Sequence, residues 1–336
     1  MTILGIETSC DETSAAVIEG EDNKILLKSN IISSSLRMHQ KTGGIIPENA
    51  AREQIKYIIP VIKKALFVAK TKLKNIDGIA LTYGPGLIGS LLVGVETAKT
   101  IAFTQNIPII PVNHMMGHIY ANWIENSHIE FPAIALVVSG GHTDLLLIKN
   151  HRDYTLLGGT RDDAAGEAFD KIGRLIGFSY PAGPGIENAA KTGDPKHFRF
   201  PRPLIGSNDF DFSFSGLKTA VLREVQTIKN LDKQTIDDIS CATQEAIVDV
   251  LVKKTLKAAL KHQAKSILIS GGVSANQKLR DTFNTMINAQ RLKTKLFAPP
   301  KSLCTDNAAM IAAYAFYNYN PVSWKEVTAD PELYFD

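Results

Sequence analysis

Apolar runs of strand length alternate along the chain with longer stretches of helical spacing, and together they predict an α/β fold. The apolar run over residues 3–18 is broken by a turn of small and polar residues, which predicts two strands joined by a hairpin. Residues 131–148 repeat this arrangement. Over residues 47–66 the apolar side chains recur every three or four positions, which predicts a helix. The residues predicted to form its buried face are Ile55, Ile58, Ile59, Ile62 and Leu66.

Both predicted hairpin turns carry groups that suit an anion or a cation. The first contains several hydroxyls together with Glu7, Asp11 and Glu12, a composition typical of the opening turn of actin-like and sugar-kinase-like ATPases. The second, residues 139–143, offers successive backbone N–H groups that can form a nest for phosphate. Solvated structural turns use the same residue types. Because the design occurs in both halves, we expect a duplicated domain with a cleft between the copies.

Two histidines four residues apart, His114 and His118, fall on one face of a short predicted helix for which Asn113 is the expected N-cap. This spacing suits a metal ion, although a pair of packed histidines explains it equally well. Met115 stands where a zinc peptidase of the His-Glu-x-x-His type has glutamate. Asp306 is the predicted third ligand, and two histidines with one carboxylate suit iron(II) or zinc. Alternatively, Asp306 is simply a helix N-cap.

Four further stretches admit both a functional and a structural explanation. A helix over residues 162–177 places Asp163, Glu167 and Asp170 near one face, either to bind hydroxyls or to face solvent. Basic and aromatic residues alternate over residues 196–218, as on an RNA surface or in a loop-rich subdomain. Arg37, Lys41 and Arg52 suit an anion or a solvated loop. The glycine-rich residues 84–99 lack a phosphate-loop lysine and favour close packing instead.

Composition limits the class of protein. The 336 residues are 44% hydrophobic and 21% charged with a net charge of +3, so any RNA site must be a local patch rather than a bulk property. Three scattered cysteines favour a reducing compartment. The chain shows no leader pattern and no apolar run long enough to span a membrane, which indicates a cytoplasmic protein.

The chain resembles the TsaD/Gcp/Kae family from Met1 to about Tyr317, with the family's motifs in order. The residues that carry the resemblance are Gly5-Ile-Glu-Thr-Ser-Cys-Asp-Glu-Thr, Asn113-His-Met-Met-Gly-His, Val138-Ser-Gly-Gly-His-Thr, Asp162-Asp-Ala-Ala-Gly-Glu-Ala-Phe-Asp-Lys, Phe212-Ser-Phe-Ser-Gly-Leu-Lys-Thr and Gly271-Gly-Val-Ser-Ala-Asn. Gly159 and Ala182 depart from the residues that the family often has, Glu and Gly, and this affects only local loop shape.

The resemblance implies an actin-like (ASKHA, ribonuclease H-like) fold of two lobes. The expected first lobe spans residues 1–108, with residues 314–336 packing on it, and the second spans 109–313 with helical insertions. The implied activity is transfer of threonylcarbamoyl from threonylcarbamoyl-AMP to N6 of the adenosine just 3′ of the anticodon (position 37), in tRNAs that read codons beginning with A. One divalent metal, Fe²⁺ in preference to Zn²⁺, would be bound by His114, His118 and Asp306.

The resemblance also implies the residues that hold the adenylate and the protein partners. The adenylate residues are Val137, Val138, Ser139, Gly140, Gly141, Asp170, Gly183, Glu187 and Asn276. The partners are a paralogous TsaB-like subunit and a small TsaE-like ATPase, with a homodimer of this chain when it is alone. We hypothesise that Asp11 or Glu12 orients or deprotonates the adenine amine. Two rival functions are a metallopeptidase, which Met115 disfavours, and a chaperone-type ATPase that acts as a nucleotide switch.

Overall fold

The structure is a computed structural model that describes residues 1–335, without the side chain of Lys41. The anion contact predicted for Lys41 therefore lies outside the described residues. The strands are β1 (Thr2–Glu7), β2 (Glu12–Glu21), β3 (Lys24–Ser34), β4 (Gly78–Gly84), β5 (Ile109–Asn113), β6 (Ala133–Val138), β7 (Thr143–Asn150), β8 (Asp153–Gly159), β9 (Ser266–Ser270) and β10 (Lys295–Phe297). The helices are α1 (Leu36–Thr42), α2 (Pro47–Val68), α3 (Ile88–Gln105), α4 (His114–Tyr120), α5 (Ala165–Leu175), α6 (Gly183–Ala189), α7 (Ser215–Thr227), α8 (Lys233–Lys261), α9 (Gln277–Ala289) and α10 (Ala308–Tyr317).

The chain forms two compact units. The first comprises Met1–Ile129 and Pro299–Asp336, and the second comprises Glu130–Ala298. The boundaries differ from the expected 108/109 and 313/314, because β5 pairs with β4 in the first sheet and α10 packs on β1 and β2 of that sheet. Both histidines and Asp306 therefore belong to the first unit rather than to the second.

The first sheet has the order β3-β2-β1-β4-β5. Successive residues of β1, β2, β4 and β5 point to opposite faces of the sheet, as the two-residue period of a strand requires. They therefore contribute to two different hydrophobic cores, one on each face. Leu4 and Ile6 pack with α2 and α3, whereas Ile3 packs with residues of α10. The sheet is thus covered on both faces, which explains why its strands are apolar almost throughout.

The second sheet repeats the first. Its order is β10-β9-β6-β7-β8, with β6 antiparallel to β7 and parallel to β9, just as β1 is antiparallel to β2 and parallel to β4. Helices α5 to α9 contribute to one large core against this sheet. The duplicated α/β design predicted from the two hairpins is confirmed.

Several helix predictions need correction. Ile58 and Ile62 of α2 are buried, but Ile55 and Ile59 are 65% and 46% exposed, so α2 has an apolar face that its own unit does not cover. Helix α5 begins at Ala165 rather than at residue 162. The helix after Asp306 begins at Ala308, and its N-cap is Asn307, whose side chain accepts from the Met310 N–H.

The C-terminal segment packs on the first unit. Val327 is part of the core formed with α2 and α3, and the Asp330 N–H donates to the Tyr83 carbonyl at 2.8 Å. Trp324 contacts Phe103 of α3, with ring centroids 5.2 Å apart. None of the helices within residues 1–335 combines the length and the hydrophobicity needed to cross a bilayer.

Candidate metal centre and anion-binding turn

His114 and His118 lie on one face of α4, as the spacing predicts. The predicted N-cap is confirmed, because the Asn113 side chain accepts from the N–H groups of Met115 and Met116. The two imidazole centroids are 4.6 Å apart. Helix α4 lies close against α10 since Gly117 has no side chain; a Cβ there would fall 2.6 Å from Ile311 Cδ1. This close packing brings the start of α10 to the histidines.

Asp306 completes the group of three. Its Oδ1 lies 3.2 Å from His118 Nε2 and 3.5 Å from His114 Nε2, and one ligand atom from each residue falls within 4.8 Å of the others. The N-cap explanation for Asp306 is wrong because Asn307 performs that role. The Asp306 carboxylate is consequently directed at the two imidazoles.

The donor set fits a divalent metal. Both histidines are buried, and neither ring nitrogen of His118 makes a hydrogen bond among the described residues, although Nε2 lies 3.2 Å from Asp306 Oδ1. A buried imidazole without partners is costly unless something else binds it. Two imidazole nitrogens and one carboxylate oxygen match the ligands that iron(II) and zinc accept, with positions left for further ligands.

Glu7, the last residue of β1, lies behind His114. Its Oε2 is 3.1 Å from His114 Nδ1, and its Oε1 accepts from the Ser9 N–H at 2.5 Å. Burial acts to raise the pKa of Glu7, but the adjacent His114 outweighs burial and holds that pKa below its usual value. Burial would lower the pKa of His114, yet Glu7 and Asp306 raise it to about 9. In the absence of a metal, the histidine is therefore the cation of a buried ion pair.

The turn that carries Asp11 is fixed from three directions. Gln54 of α2 donates its amide to the carbonyls of Thr8, Cys10 and Glu12, at 3.4, 2.9 and 3.1 Å. From α3, the Ser90 hydroxyl also donates to the Cys10 carbonyl. The Ser35 N–H and hydroxyl both donate to the Asp11 carbonyl. The backbone of this turn is thus held rigidly beneath its carboxylates.

Glycines of the 84–99 stretch let this turn and α3 approach closely, which confirms the packing interpretation. A Cβ on Gly86 would fall 2.5 Å from the Ser9 carbonyl, and one on Gly94 would fall 2.3 Å from Thr8 Oγ1. Neither position accommodates a side chain without movement of the turn.

The two candidate catalytic carboxylates lie in this turn and at the start of β2. Burial, followed by the charge of Asp306, raises the pKa of Asp11. Burial raises the pKa of Glu12 to about 7, with further contributions from Asp11 and Asp306. Glu12 Oε1 accepts from Ser34 at 2.8 Å, whereas Oε2 is buried with no hydrogen-bond partner in the described part of the chain. That oxygen therefore keeps an unused acceptor site.

The second unit places the Ser139 turn between β6 and β7, directly after Val137 and Val138. The turn closes on itself, since Ser139 Oγ accepts from the His142 N–H at 3.1 Å. It also rests on the start of α5, where a Cβ on Gly166 would fall 2.5 Å from the Ser139 carbonyl. Space around Gly140 and Gly141 is open, because added Cβ atoms would contact nothing within 4 Å. The arrangement suits an anion approaching the backbone.

The remaining predicted adenylate residues link the helices of this unit. Asp170 of α5 accepts from the Ala182 N–H at 2.7 Å, just before Gly183 begins α6. Glu187 of α6 accepts from the Gln277 N–H at 2.8 Å. Asn276 caps α9 through its oxygen and donates its amide to Gln244 at 2.8 Å. These three side chains therefore tie α5, α6, α9 and α8 together.

Other candidates from the sequence have structural contacts. Asp163 precedes α5 and pairs with Lys171 and Lys218, so the three acidic residues do not form one helix face. Asp162 accepts from the N–H groups of Phe214 and Ser215 at the start of α7. The aromatic residues of the 196–218 stretch that are buried in the core of the second unit are Phe200, Phe210, Phe212 and Phe214, which supports the packing explanation for them.

Sequence reasoning did not assign roles to Glu7 or Gln54. Glu7 is one of three acidic residues near the first turn, and its place at the end of an apolar strand marks it as buried. Gln54 lies four residues before Ile58 on the buried face of α2. A polar residue on an apolar stripe is a signal that a backbone or side-chain partner faces it.

Each unit has a five-stranded mixed sheet of the same order, which is the duplicated actin-like fold, and the first unit carries a group suited to a metal. The chain is similar in fold to HypF of T. kodakarensis, with a TM-score of 0.63 and 14% identity over 95% of this chain and 47% of that one.

Sequence comparison then identifies the family. The profile of TsaD, described as tRNA N6-adenosine threonylcarbamoyltransferase, matches residues 27–313. A protein of that name from Syntrophomonas wolfei is 49% identical over 317 residues, covering 94% of this chain and 92% of its own. Another from Thermosipho africanus is 46% identical over 337 residues, covering 99% of both. The chain belongs to the TsaD family, whose function is threonylcarbamoyl transfer to N6 of an adenosine in tRNA.

The support of the first turn by Gln54 can be tested directly. We expect Gln54→Leu to lower the free energy of unfolding by about 1–3 kcal/mol, because buried carbonyls lose their donor. Urea denaturation measures the change, with Gln105→Leu as a control, since Gln105 is exposed at the end of α3. Equal stability of the two variants would show that the amide does not support the turn.

Proposed function

We propose that the chain transfers threonylcarbamoyl from threonylcarbamoyl-AMP to N6 of adenosine 37, in tRNAs reading codons that begin with A, and releases AMP in the cytoplasm. The observation that carries the proposal is that relatives named for this transfer align with 94–99% of the chain. In the reaction, the adenine nitrogen forms a bond to the carbamoyl carbon, and the bond from that carbon to the AMP oxygen breaks. AMP leaves with the electron pair, and the amine must lose a proton.

We propose that His114, His118 and Asp306 hold one divalent metal, Fe²⁺ in preference to Zn²⁺. The convergence of these ligand atoms within 4.8 Å supports this, as does the absence of any hydrogen bond to the buried His118 ring among the described residues. A metal in this position would supply Lewis acidity toward an oxygen of the threonylcarbamoyl group.

We propose that the second unit binds the adenylate. The open backbone at Gly140 and Gly141 would receive the phosphate, and the charge that develops on AMP as it leaves would be stabilised by those N–H groups. Val137, Val138 and Ser139 position this turn. Asp170, Gly183, Glu187 and Asn276 form the linked helix ends described above, where polar groups can meet the nucleoside.

Asp11 and Glu12 are the proposed groups for orienting or deprotonating the adenine amine. Glu12 is favoured by two observations: its Oε2 is buried without a partner among the described residues, and burial raises its pKa to about 7. A general base works best when its pKa lies near the operating pH. The rigid turn beneath the two residues would keep their carboxylates in place.

The partner proposed for the first unit is a TsaB-like paralogue, with a TsaE-like ATPase joining the complex and a homodimer of this chain forming in their absence. Support comes from the uncovered apolar face of α2 and α3. Four apolar side chains on this face are 45–65% exposed, namely those of Ile55, Ile59, Ile88 and Leu92. A groove of about 300 Å³ beside Ile59 runs along Glu96 and Thr100 of α3. Contiguous exposed apolar surface of this kind marks interfaces.

The transfer experiment tests the function itself. With labelled threonylcarbamoyl-AMP, unmodified tRNA and the partner proteins, we expect the unaltered chain to label the tRNA. His114→Ala should bind less metal and lose at least about a hundredfold in rate. Metal content of both proteins is measured in parallel. No transfer under any condition, with ATP turnover that needs no metal, would favour the nucleotide-switch alternative instead.

The pH dependence tests the role of Glu12. A base acts in its ionised form, so the single-turnover rate should rise with pH as Glu12 loses its proton. The midpoint should lie at or below about 7, because a bound cation lowers the pKa of a nearby carboxylate. Glu12→Gln should remove this rise and about a hundredfold or more of the rate. A rise of the same shape in Glu12→Gln, but not in Asp11→Asn, would assign the role to Asp11.

The α2–α3 face can be tested by charge. Ile59→Glu and Leu92→Glu should each weaken association with the TsaB-like partner at least about tenfold, since an apolar contact is replaced by a desolvated charge. Leu260→Glu is the matched control because Leu260 is 54% exposed in the second unit. Analytical ultracentrifugation measures the association. Unchanged binding by both α2–α3 variants would place the interface elsewhere.

A further inference from the structure

Glu7 is a fully buried carboxylate that meets donors on both oxygens. Oε1 accepts from the Ser9 N–H. Oε2 accepts from the Thr82 hydroxyl of β4 and lies 3.1 Å from His114 Nδ1. An ionised carboxylate offers only acceptors, so an all-acceptor group is matched to this set of donors.

This arrangement determines which nitrogen of His114 carries a proton. Nδ1 faces the Glu7 oxygen at 3.1 Å and the Ser9 hydroxyl also at 3.1 Å. If Nδ1 were bare, its lone pair would oppose a carboxylate lone pair. A proton on Nδ1 converts that opposition into a charge-assisted hydrogen bond. Nε2 is then the nitrogen left to ligate, and it is the one that lies toward Asp306.

We infer that Glu7 is a positioning residue for the proposed metal centre, which holds His114 with its proton on Nδ1 and its Nε2 lone pair free for the cation. The inference rests on the proposed metal function and deepens it. A carboxylate behind a ligating imidazole fixes the ring orientation and raises the basicity of the nitrogen that binds the metal.

His118 is held differently from His114. His118 Nε2 faces Asp306 Oδ1 at 3.2 Å, whereas its Nδ1 has no hydrogen-bond partner among the described residues, so no group behind the ring fixes its orientation. His114 is therefore the ligand set in place by the fold, because Glu7 holds it to β1. His118 and Asp306 complete the site around it.

A glutamine at position 7 cannot replace the carboxylate. An amide has one acceptor oxygen and one NH₂ group. If the NH₂ occupies the Oε1 position, it opposes the Ser9 N–H. If it occupies the Oε2 position, it opposes the proton on His114 Nδ1. The first orientation sets donor against donor in a buried place. The second does the same unless the His114 proton moves to Nε2, which blocks the nitrogen that would ligate the metal. Both orientations leave the volume unchanged.

The test compares Zn²⁺ affinity and the imidazole signals of Glu7→Gln with those of the unaltered chain. Chelator competition with Zn²⁺ should show affinity reduced by about 10–100-fold in Glu7→Gln. In the Zn²⁺-loaded unaltered chain, ¹⁵N NMR should show a protonated Nδ1 on His114, assigned by its loss in His114→Gln, and Glu7→Gln should shift that proton upfield. Thr82→Val is the matched control, because it removes a hydrogen bond from the same carboxylate but leaves the Nδ1 contact.

The outcomes separate the inference from the metal proposal. Thr82→Val should retain the affinity and the Nδ1 signal of the unaltered chain. If the unaltered chain takes up neither Zn²⁺ nor Fe²⁺, the proposed centre fails and the inference fails with it. If the unaltered chain binds metal but Glu7→Gln binds as tightly, or if both variants lose affinity equally, the centre stands and Glu7 has no positioning role. Ligation through Nδ1 in the unaltered chain would overturn the inference without any variant.

Discussion

The first unit depends on satisfying the polar backbone of a turn that enters its interior. Residues 8–12 connect two central strands, and a buried carbonyl without a donor costs about 1–3 kcal/mol. Gln54, Ser90 and Ser35 supply those donors from three separate elements. Because each donor belongs to a different part of the unit, the turn is rigid only when the unit is folded. Because the backbone of the turn is rigid, the carboxylates of Asp11 and Glu12 are held in fixed positions. Fixed positions are what the proposed catalytic role of these groups requires.

The second unit uses the equivalent turn in a different way. Its sheet has the same order, and its turn also stands between two central antiparallel strands. Here, however, Gly140 and Gly141 leave the backbone open. In the first turn the backbone carbonyls are already hydrogen-bonded, and carboxylate side chains extend from the turn. One duplicated design therefore gives a turn with buried carboxylates in one copy and a turn with an open glycine backbone, suited to an anion, in the other. The chemistry of phosphate favours the second arrangement, since aligned N–H groups bind it without a counter-charge.

The sequence predicted the features that depend on local pattern. Strand periodicity, both hairpins, the Asn113 cap and the facing histidines are all properties of a few neighbouring residues. The errors concern long-range contacts. Ile55 and Ile59 share the helical period of Ile58 but lie on the edge of the apolar stripe, and only tertiary packing decides which edge is covered. Asp306 and Asn307 are both good caps, so the sequence could not show which one caps α10. The roles of Glu7 and Gln54 could not be predicted, because their hydrogen-bond partners lie on other strands and on the turn, far away in sequence.

Four carboxyl groups of the first unit, those of Glu7, Asp11, Glu12 and Asp306, influence one another through their charges. Asp306 raises the pKa of Asp11 and Glu12 alongside the effect of burial, and it opposes the lowering of the pKa of Glu7 by His114. Four acidic groups thus surround one buried imidazolium, and the histidine alone does not balance them. A divalent cation between His114, His118 and Asp306 would replace the proton on His114 Nε2, and would so add one net positive charge beside these carboxylates. The electrostatic cost of assembling the acidic turn would then be offset by the ion proposed for the two histidines.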